Sequence, residues 1–214
     1  MKKPSTNIDH YALNLATYND PRTIADATAD AKKYLPNIFS YPLFTKFNTS
    51  LSGKKILDLG CGPGLLTKYY FDQGFDITGL DFSKNMIQAA KKLCPKARFI
   101  TKNALELSPA DGTFDAIVSF HLVQFFDPPE IIELFRKSLA CLNDKGKFLL
   151  VFTNTCHPKS GCNITQVGLT EYWNRHQLDD IAPLFHKAGY KITDFKQPKF
   201  ADGDQPFIFI TQKA

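Results

Sequence analysis

A glycine-rich segment at 56–64, with the sequence ILDLGCGPG, has the residue types of a ligand-binding loop. Its glycines at 60, 62 and 64 allow positive φ angles and let a ligand approach the backbone closely. The dinucleotide-binding fingerprint needs glycine or alanine where this chain has Leu65, and the lysine and hydroxyl residue of a P-loop are missing. The segment therefore predicts a loop that holds a ligand against its backbone, and a pyrophosphate is not the best ligand for it.

Two polar residues further along the chain are candidate partners for an adenosine. Asp81 follows the loop by about 20 residues, where an acid in an α/β sheet accepts hydrogen bonds from both hydroxyls of a ribose. The amide of Asn103 can accept from an adenine amino group and donate to a ring nitrogen. The alternatives are an ion-paired surface aspartate at 81 and a turn asparagine at 103.

These residues lie at the ends of short apolar segments that alternate with helical patterns. Continuous apolar strands in such an alternation are typical of a parallel sheet that is covered on both faces. After the fifth strand the pattern changes, and two antiparallel strands close the chain. Strands are predicted at 56–59, 75–80, 97–101, 114–120, 147–153, 190–200 and 206–211, and helices at 65–74, 83–93, 129–142 and 170–188.

The first 50 residues lack strand alternation and are predicted to be mostly helical. Asn19-Asp20-Pro21 resembles a helix cap followed by a first-turn proline, which opens a helix through 25–34. The chain is accordingly divided into a helical cap at 1–52 and an α/β core at 53–214.

The composition is that of an ordinary globular domain, with 214 residues, 43% hydrophobic residues and a net charge of +5. Its lysines are scattered in pairs, which indicates a solvated surface rather than a nucleic-acid site. Five irregularly spaced cysteines do not form a disulfide framework, and Cys156, His157 and Cys162 do not have zinc-ligand spacing. No signal peptide, membrane span or metal site is predicted, and the expected location is cytoplasmic.

Several segments together resemble the class I S-adenosylmethionine-dependent methyltransferases, in particular the group that modifies small molecules. The segments are ILDLGCGPG at 56–64, GLDFSKNMIQAAKK at 79–92, the step 103–105, FDAIVSFHLVQFFDP at 114–128 and LNDKGKFLLVF at 142–152. They occur in the family's order and spacing over most of 54–152. The resemblance implies a Rossmann-like seven-stranded sheet in the order 3-2-1-4-5-7-6, with the last strand antiparallel and helices on both faces.

The resemblance also implies S-adenosylmethionine as the cofactor and S-adenosylhomocysteine as the product. Asp58, Gly60 and Gly62 would surround the methionine moiety, and Asp81 would bind the ribose hydroxyls. The adenine would lie between two apolar side chains, with a polar step at its edge, and an aromatic residue would border the methyl group. The complete set of implied cofactor-binding residues is Asp58, Gly60, Cys61, Gly62, Asp81, Phe82, Met86, Asn103, Ala104, Phe120 and Tyr18.

Three of these positions have alternatives or departures from the family. Asn103 stands where the family more often has aspartate, and both side chains can accept a hydrogen bond. Tyr18 matches loosely a tyrosine that relatives bring over the methionine end, and plain packing is the alternative. Cys61 lies where a small residue fits, and packing rather than redox chemistry is favoured for its thiol.

Methyl transfer demands positioning and exclusion of water, and a general base only when the acceptor arrives protonated. His121 is the best-placed candidate for that base, followed by Tyr18, Tyr11 and His157. Each of them also fits a lining or structural role. Many relatives have histidine where this chain has Gln124, so no family histidine role transfers to that position.

The predicted reaction is methyl transfer to an oxygen, nitrogen or carbon acceptor, with a small organic molecule favoured. An RNA or protein methyltransferase is an alternative that the positive net charge allows. Asp127-Pro128-Pro129 resembles the signature of amino-directed enzymes but follows the fourth strand too late. A second alternative is a catalytically silent protein that binds the cofactor as a regulator.

Overall fold

The computed structural model describes residues 17–51, 53–152, 162–166, 169–173, 178–200 and 205–214. Its α-helices are α1 (Pro21–Phe39), α2 (Pro42–Thr49), α3 (Leu65–Asp72), α4 (Lys84–Leu93), α5 (Pro128–Cys141) and α6 (Leu178–Lys187). Its strands are β1 (Lys55–Leu59), β2 (Asp76–Asp81), β3 (Arg98–Thr101), β4 (Phe114–Phe120), β5 (Leu142–Phe152), β6 (Cys162–Gln166), β7 (Leu169–Trp173), β8 (Tyr190–Lys196) and β9 (Phe207–Lys213).

The main sheet has seven strands in the order β3-β2-β1-β4-β5-β9-β8. Strand β9 runs antiparallel to both of its neighbours, and the other pairs are parallel. Since β8 and β9 are the predicted sixth and seventh strands, the predicted order and fold class are confirmed. This order brings the carboxyl ends of β3, β2, β1 and β4 to one edge of the sheet.

Successive residues of the central strands pack into two different cores, because strand side chains alternate between the faces of a sheet. Leu57 and Ile117 belong to the core that α5 and α6 cover. Ile56, Ala116 and Val118 belong to the core that α1, α2 and α3 cover. All five side chains are fully buried, which explains why these strands are continuous apolar runs.

Helix α1 begins as the sequence predicts and ends later. Asp20 is its N-cap and accepts a hydrogen bond from the Arg22 amide at 2.8 Å, with Pro21 in the first turn. The helix passes through Pro36 and ends at Phe39. Pro36 lies in the last turn, where the lost N–H hydrogen bond and the contact of its ring with the preceding turn do not end the helix.

The prediction of a helix over 170–188 is wrong in its first part. Leu169–Trp173 is a strand that pairs antiparallel with β6, and the helix is confined to Leu178–Lys187. Threonine, tyrosine and tryptophan in this segment favour a strand once a partner strand is present. Strand β5 also begins earlier than predicted, because Leu142 pairs with Phe114 before a shift in register.

Candidate functional site

The glycine loop connects β1 to α3 and lies against the end of β2. The amides of Gly60 and Cys61 both donate to the carbonyl oxygen of Leu80, at 2.8 and 2.9 Å. Gly62 has a φ of +50°, and none of the described residues has a heavy atom within 4 Å of where its Cβ would be. The backbone at Gly62 is therefore open to a ligand.

Gly64 has a different role from the one that a ligand-binding loop suggests. A Cβ at this position would lie 2.7 Å from the Cβ of Ala90 on α4. Its φ of +87° also belongs to the left-handed region. Gly64 therefore allows the start of α3 to pack closely against α4, rather than admitting a ligand.

Asp81, at the end of β2, accepts hydrogen bonds from the glycine loop and from the loop that leads into α4. Its Oδ2 accepts a hydrogen bond from the Gly62 amide, and its Oδ1 accepts one from the Ser83 amide, each at 2.9 Å. Burial raises the pKa of this carboxyl to about 6, although the two amides oppose the shift. The acid therefore lies beside the open glycine loop with its orientation held from two sides.

Asp58 is a second buried carboxyl beneath the same loop. Its Oδ2 accepts a hydrogen bond of 2.6 Å from the Thr67 hydroxyl on α3. Burial raises its pKa to about 7; the Thr67 hydroxyl opposes this shift, and the charge of Asp81 adds to it. A bound cation here would favour the ionised forms of both carboxyls.

Cys61 also lies in this buried region, 7% exposed. Burial first, and then the charges of Asp58 and Asp81, raise the pKa of its thiol well above the ordinary value. The thiol is therefore protonated and unreactive at neutral pH, which agrees with a packing role. Among the described residues no group of histidine, cysteine, aspartate or glutamate side chains is arranged to hold a metal ion.

The residues just before α1 are hydrogen-bonded to the start of α4, next to Asp81. The Ser83 hydroxyl lies 2.6 Å from the carbonyl oxygen of Tyr18 and 2.8 Å from Oδ1 of Asn19. The same hydroxyl caps α4 by accepting from the Met86 amide at 3.1 Å, as the sequence predicts for Ser83. The backbone amide of Asn85 also donates to Oδ1 of Asn19, at 3.3 Å.

Helix α1 and the residues before it span from the end of β2 to the end of β4. At one end the Tyr18 ring lies 6.0 Å from Phe82 and 5.4 Å from Phe125. At the other end the Tyr34 ring meets His121 edge-on at 4.6 Å. Part of the predicted cap therefore borders the site directly.

His121 has a positive φ of 54°, which among the described residues no other non-glycine residue shows. Its amide donates to the carbonyl oxygen of Val151 at 2.8 Å and extends the pairing of β4 with β5 by one residue. Left-handed non-glycine residues are costly and concentrate at functional sites. Burial lowers the pKa of the imidazole to about 4, so the ring is neutral at pH 7 and is a weaker base than an ordinary histidine.

Asn103 caps the short turn that follows β3. Its Oδ1 accepts a hydrogen bond of 3.0 Å from the Leu105 amide, which matches the turn interpretation of this residue. Capping uses one lone pair, so the second lone pair and the amide nitrogen remain chemically able to bind adenine. The Lys102 amide donates to the carbonyl oxygen of Asp81 at 2.9 Å and holds this turn beside β2.

The candidate cofactor-binding residues lie together along one edge of the sheet, although six of them are buried. Asp58, Met86 and Ala104 are 1%, 1% and 6% exposed. Phe120 is also buried, and its ring packs 6.4 Å from Phe44 of α2. Tyr11 and His157, the further base candidates, lie outside the described residues.

Sequence reasoning missed several residues that the fold brings to this edge. Thr67 bonds Asp58, Asn19 bonds Ser83, and Tyr34 contacts His121. Only Thr67 is close in sequence to its partner, nine positions after Asp58, whereas the other two contacts join distant segments.

Comparison with known proteins is consistent with this geometry. Residues 56–146 match the family model described as "Methyltransferase domain". A demethylmenaquinone methyltransferase from Renibacterium salmoninarum is 33% identical over 113 residues, which cover 52% of this chain and 46% of that protein. An uncharacterised methyltransferase from Alkaliphilus oremlandii is 27% identical over 156 residues, or 67% of this chain and 71% of that one.

Solved structures share the fold over nearly the whole chain. The magnesium protoporphyrin IX methyltransferase from Synechocystis, determined with bound S-adenosylmethionine, superposes with a TM-score of 0.72 at 14% identity. The superposition covers 99% of this chain and 100% of that one. Residues 56–146 therefore match a methyltransferase domain, and the chain as a whole shares its fold with a methyltransferase that binds S-adenosylmethionine. The chain spans about half the length of the curated relatives that it matches, 46% and 40% in two demethylmenaquinone methyltransferases.

Proposed function

We propose that this chain transfers a methyl group from S-adenosylmethionine to an oxygen, nitrogen or carbon atom of a small organic molecule. The observation that carries the proposal is the 2.9 Å hydrogen bond from the Gly62 amide to Asp81. It joins an acid to an open glycine backbone at the carboxyl ends of β1 and β2. Ligands of open α/β sheets bind at this edge, where Asp81 can accept from ribose hydroxyls.

The buried carboxyls support a cationic ligand in particular. Asp58 and Asp81 lie close enough for the charge of Asp81 to raise the pKa of Asp58. A sulfonium or ammonium group nearby would relieve this repulsion and the cost of burying the charges. In this proposal Asp58, Gly60 and Gly62 hold the methionine moiety, and Asp81 holds the ribose.

The adenine would occupy the region between α4 and the turn after β3. Phe82 and Met86 would flank its faces, while Asn103 and Ala104 would meet its edge. The Phe82 ring already packs against Tyr18, which supports an apolar wall on the side of the N-terminal segment.

S-adenosylmethionine, when bound, supplies a methyl group that its sulfonium already activates. The protein therefore has to align the acceptor and exclude water. The aromatic side chains of Tyr18, Phe120 and Phe125 would exclude water from the acceptor end. His121, neutral at pH 7, would accept the proton that an alcohol or phenol loses as its oxygen is methylated.

Calorimetric titration with S-adenosylhomocysteine tests the proposal. Asp81→Ala should weaken binding by more than about tenfold, which corresponds to roughly 1.4 kcal/mol. Asp72→Ala is the control, because Asp72 is an exposed acid paired with Lys68 on α3. Unchanged affinity in Asp81→Ala would contradict the role of that residue, and a wild-type protein that fails to bind would contradict the function.

Turnover requires a separate measurement. The protein and S-adenosylmethionine should be incubated with a panel of phenols, amines and carboxylic acids, and products identified by mass spectrometry. Cofactor binding without methylation of any acceptor would favour the silent regulator. Methylation of RNA, with binding that weakens steeply as salt rises, would favour a nucleic-acid acceptor instead.

A further inference from the structure

Gln124 has a buried amide oxygen that no donor of the described residues reaches. The residue is 4% exposed, and its Oε1 lacks a hydrogen-bond partner in the described part of the chain. Folded proteins leave few buried polar atoms unpaired, because an unpaired buried carbonyl loses the hydrogen bond that water would provide. An unpaired acceptor beside a binding site therefore points to a donor that a ligand supplies.

The position of Gln124 relates it to the proposed active site. It belongs to the short turn Val123–Phe125 that follows β4. On one side of this turn Leu122 packs against the glycine loop, with its Cδ1 3.0 Å from where a Cβ of Gly60 would be. On the other side Phe125 meets the Tyr18 ring edge-on. The turn that carries Gln124 thus lies between the cofactor loop and the N-terminal segment.

A second unpaired polar atom comes from α1. Thr23 is 6% exposed, and among the described residues its hydroxyl also has no partner. Thr23 precedes Tyr34 by eleven positions, which is three helical turns to within about 20°. The two residues therefore lie on the same face of α1, and Tyr34 contacts His121 on that face.

We infer that the amide of Gln124 binds the methyl acceptor, and that this acceptor is an uncharged, largely apolar molecule that carries a hydroxyl or N–H donor. The inference rests on the proposed function and specifies its acceptor. An amide oxygen accepts hydrogen bonds from O–H and N–H groups, whereas an ionised carboxylate has no proton to give and is repelled.

The neighbouring side chains have the complementary chemistry. Phe120, Tyr18 and Phe125 present aromatic surface, and the imidazole of His121 is neutral at pH 7. Small-molecule pockets typically combine apolar walls with a few polar groups that fix orientation. A site that pairs a buried amide with one donor discriminates strongly against analogues that lack this donor.

The test uses the full chain with S-adenosylhomocysteine bound and three matched probes: 1-naphthol, 1-methoxynaphthalene and 1-naphthoate. Calorimetry should show that the wild type binds the naphthol about tenfold more tightly than either other probe. Gln124→Met keeps the length of the side chain and removes the amide. It should abolish the preference for the naphthol while leaving the affinity for S-adenosylhomocysteine unchanged.

Tyr190→Phe is the matched control. The Tyr190 hydroxyl is likewise buried without a partner among the described residues, but it lies in the core beside Phe135 and Phe148. Removing that hydroxyl should leave the probe preference intact. If Gln124→Met only changes stability, as Tyr190→Phe does, and keeps the preference, the inference is overturned.

Two further outcomes separate this inference from the proposed function. Tight binding of S-adenosylhomocysteine without a preference for the naphthol in the wild type would overturn the acceptor inference alone. Strongest binding of the naphthoate would overturn it in favour of an anionic acceptor. Failure to bind S-adenosylhomocysteine at all would instead overturn the proposed function.

Discussion

The backbone amide of Gly62 and the carboxylate of Asp81 form a 2.9 Å hydrogen bond that ties the loop after β1 to the end of β2. The Ser83 amide holds the other carboxylate oxygen at the same distance. Each oxygen keeps a second lone pair, so the acid is oriented by the protein and can still bind ligand hydroxyls. The two loops of the proposed cofactor site are therefore prearranged as one unit.

The buried carboxyl of Asp58 should make the protein less stable as pH rises. Its pKa is raised to about 7 from an ordinary value of 3.8, mainly by burial. Between these values the folded chain keeps a proton that the unfolded chain releases, so the free energy of unfolding falls with increasing pH. Asp58→Asn remains neutral, and its stability advantage over the wild type should grow from pH 5 to pH 8 in urea titrations.

Asp111 provides a control because its pKa is shifted in the opposite direction from that of Asp58. Burial alone would raise its pKa, but the ion pair with Lys102 and the Ser108 hydrogen bonds lower it. The ionised Asp111 therefore stabilises the fold at pH values above its ordinary pKa. This stabilisation is lost as pH falls through the lowered pKa of the folded state. Asp111→Asn should be less stable than the wild type throughout pH 5 to 8. If both variants gained stability relative to the wild type as pH rises, the raised pKa of Asp58 would not be the cause, and that assignment would be contradicted.

The stability losses of two glycine-to-alanine variants should distinguish the cost of a steric clash from the cost of backbone strain. Gly64 and Gly74 have similar φ angles, +87° and +81°, but only the first would place a Cβ against α4. Gly74→Ala should cost about 1 kcal/mol for the left-handed conformation. Gly64→Ala should cost roughly 1–3 kcal/mol more, because the Ala90 contact must also give way. Equal losses in urea titrations would show that the close approach to Ala90 is unimportant.

The bonds that Asn19 makes to Ser83 and Asn85 should matter for ligand binding as well as for stability. Asn19→Ala should destabilise the fold by about 1 kcal/mol and weaken binding of S-adenosylhomocysteine, because this contact lies beside Asp81. Asn48→Ala removes the acceptor of the Tyr70 hydroxyl, a 2.9 Å bond elsewhere on the same face. Asn48→Ala should lower the melting temperature without changing the affinity for S-adenosylhomocysteine. Similar affinity losses in both variants would contradict a specific role of Asn19 in ligand binding.

His121→Gln should lower kcat by about 100-fold or more on an acceptor that must lose a proton, with the affinity for S-adenosylhomocysteine unchanged. Because burial lowers the imidazole pKa to about 4, this ring should contribute no inflection to the rate between pH 6 and pH 8. Initial rates across that range test both statements. A wild-type inflection near pH 6.5 that disappears in His121→Gln would contradict the neutral buried ring.

Local sequence signals predicted the elements whose causes are themselves local. The cap at Asp20 with Pro21, the cap at Ser83 and the buried strand 114–120 all depend on residues that are near in sequence. The strand order came from the family resemblance and is confirmed. The segment Leu169–Trp173 was wrongly predicted as helix because its strand conformation depends on a partner, β6, that an apolar spacing pattern does not reveal.

The sequence by itself determined the class of fold, the glycine loop and the acid at the end of β2, because all three follow from residue types and their spacing along the chain. Only the tertiary structure brought Asn19 to Ser83 and Tyr34 to His121. Only it buried the amide oxygen of Gln124 where none of the described residues donates to it. It also produced the raised pKa values of Asp58 and Asp81. Each of these properties arises from packing between segments distant in sequence, and burial and pairing are consequences of that packing.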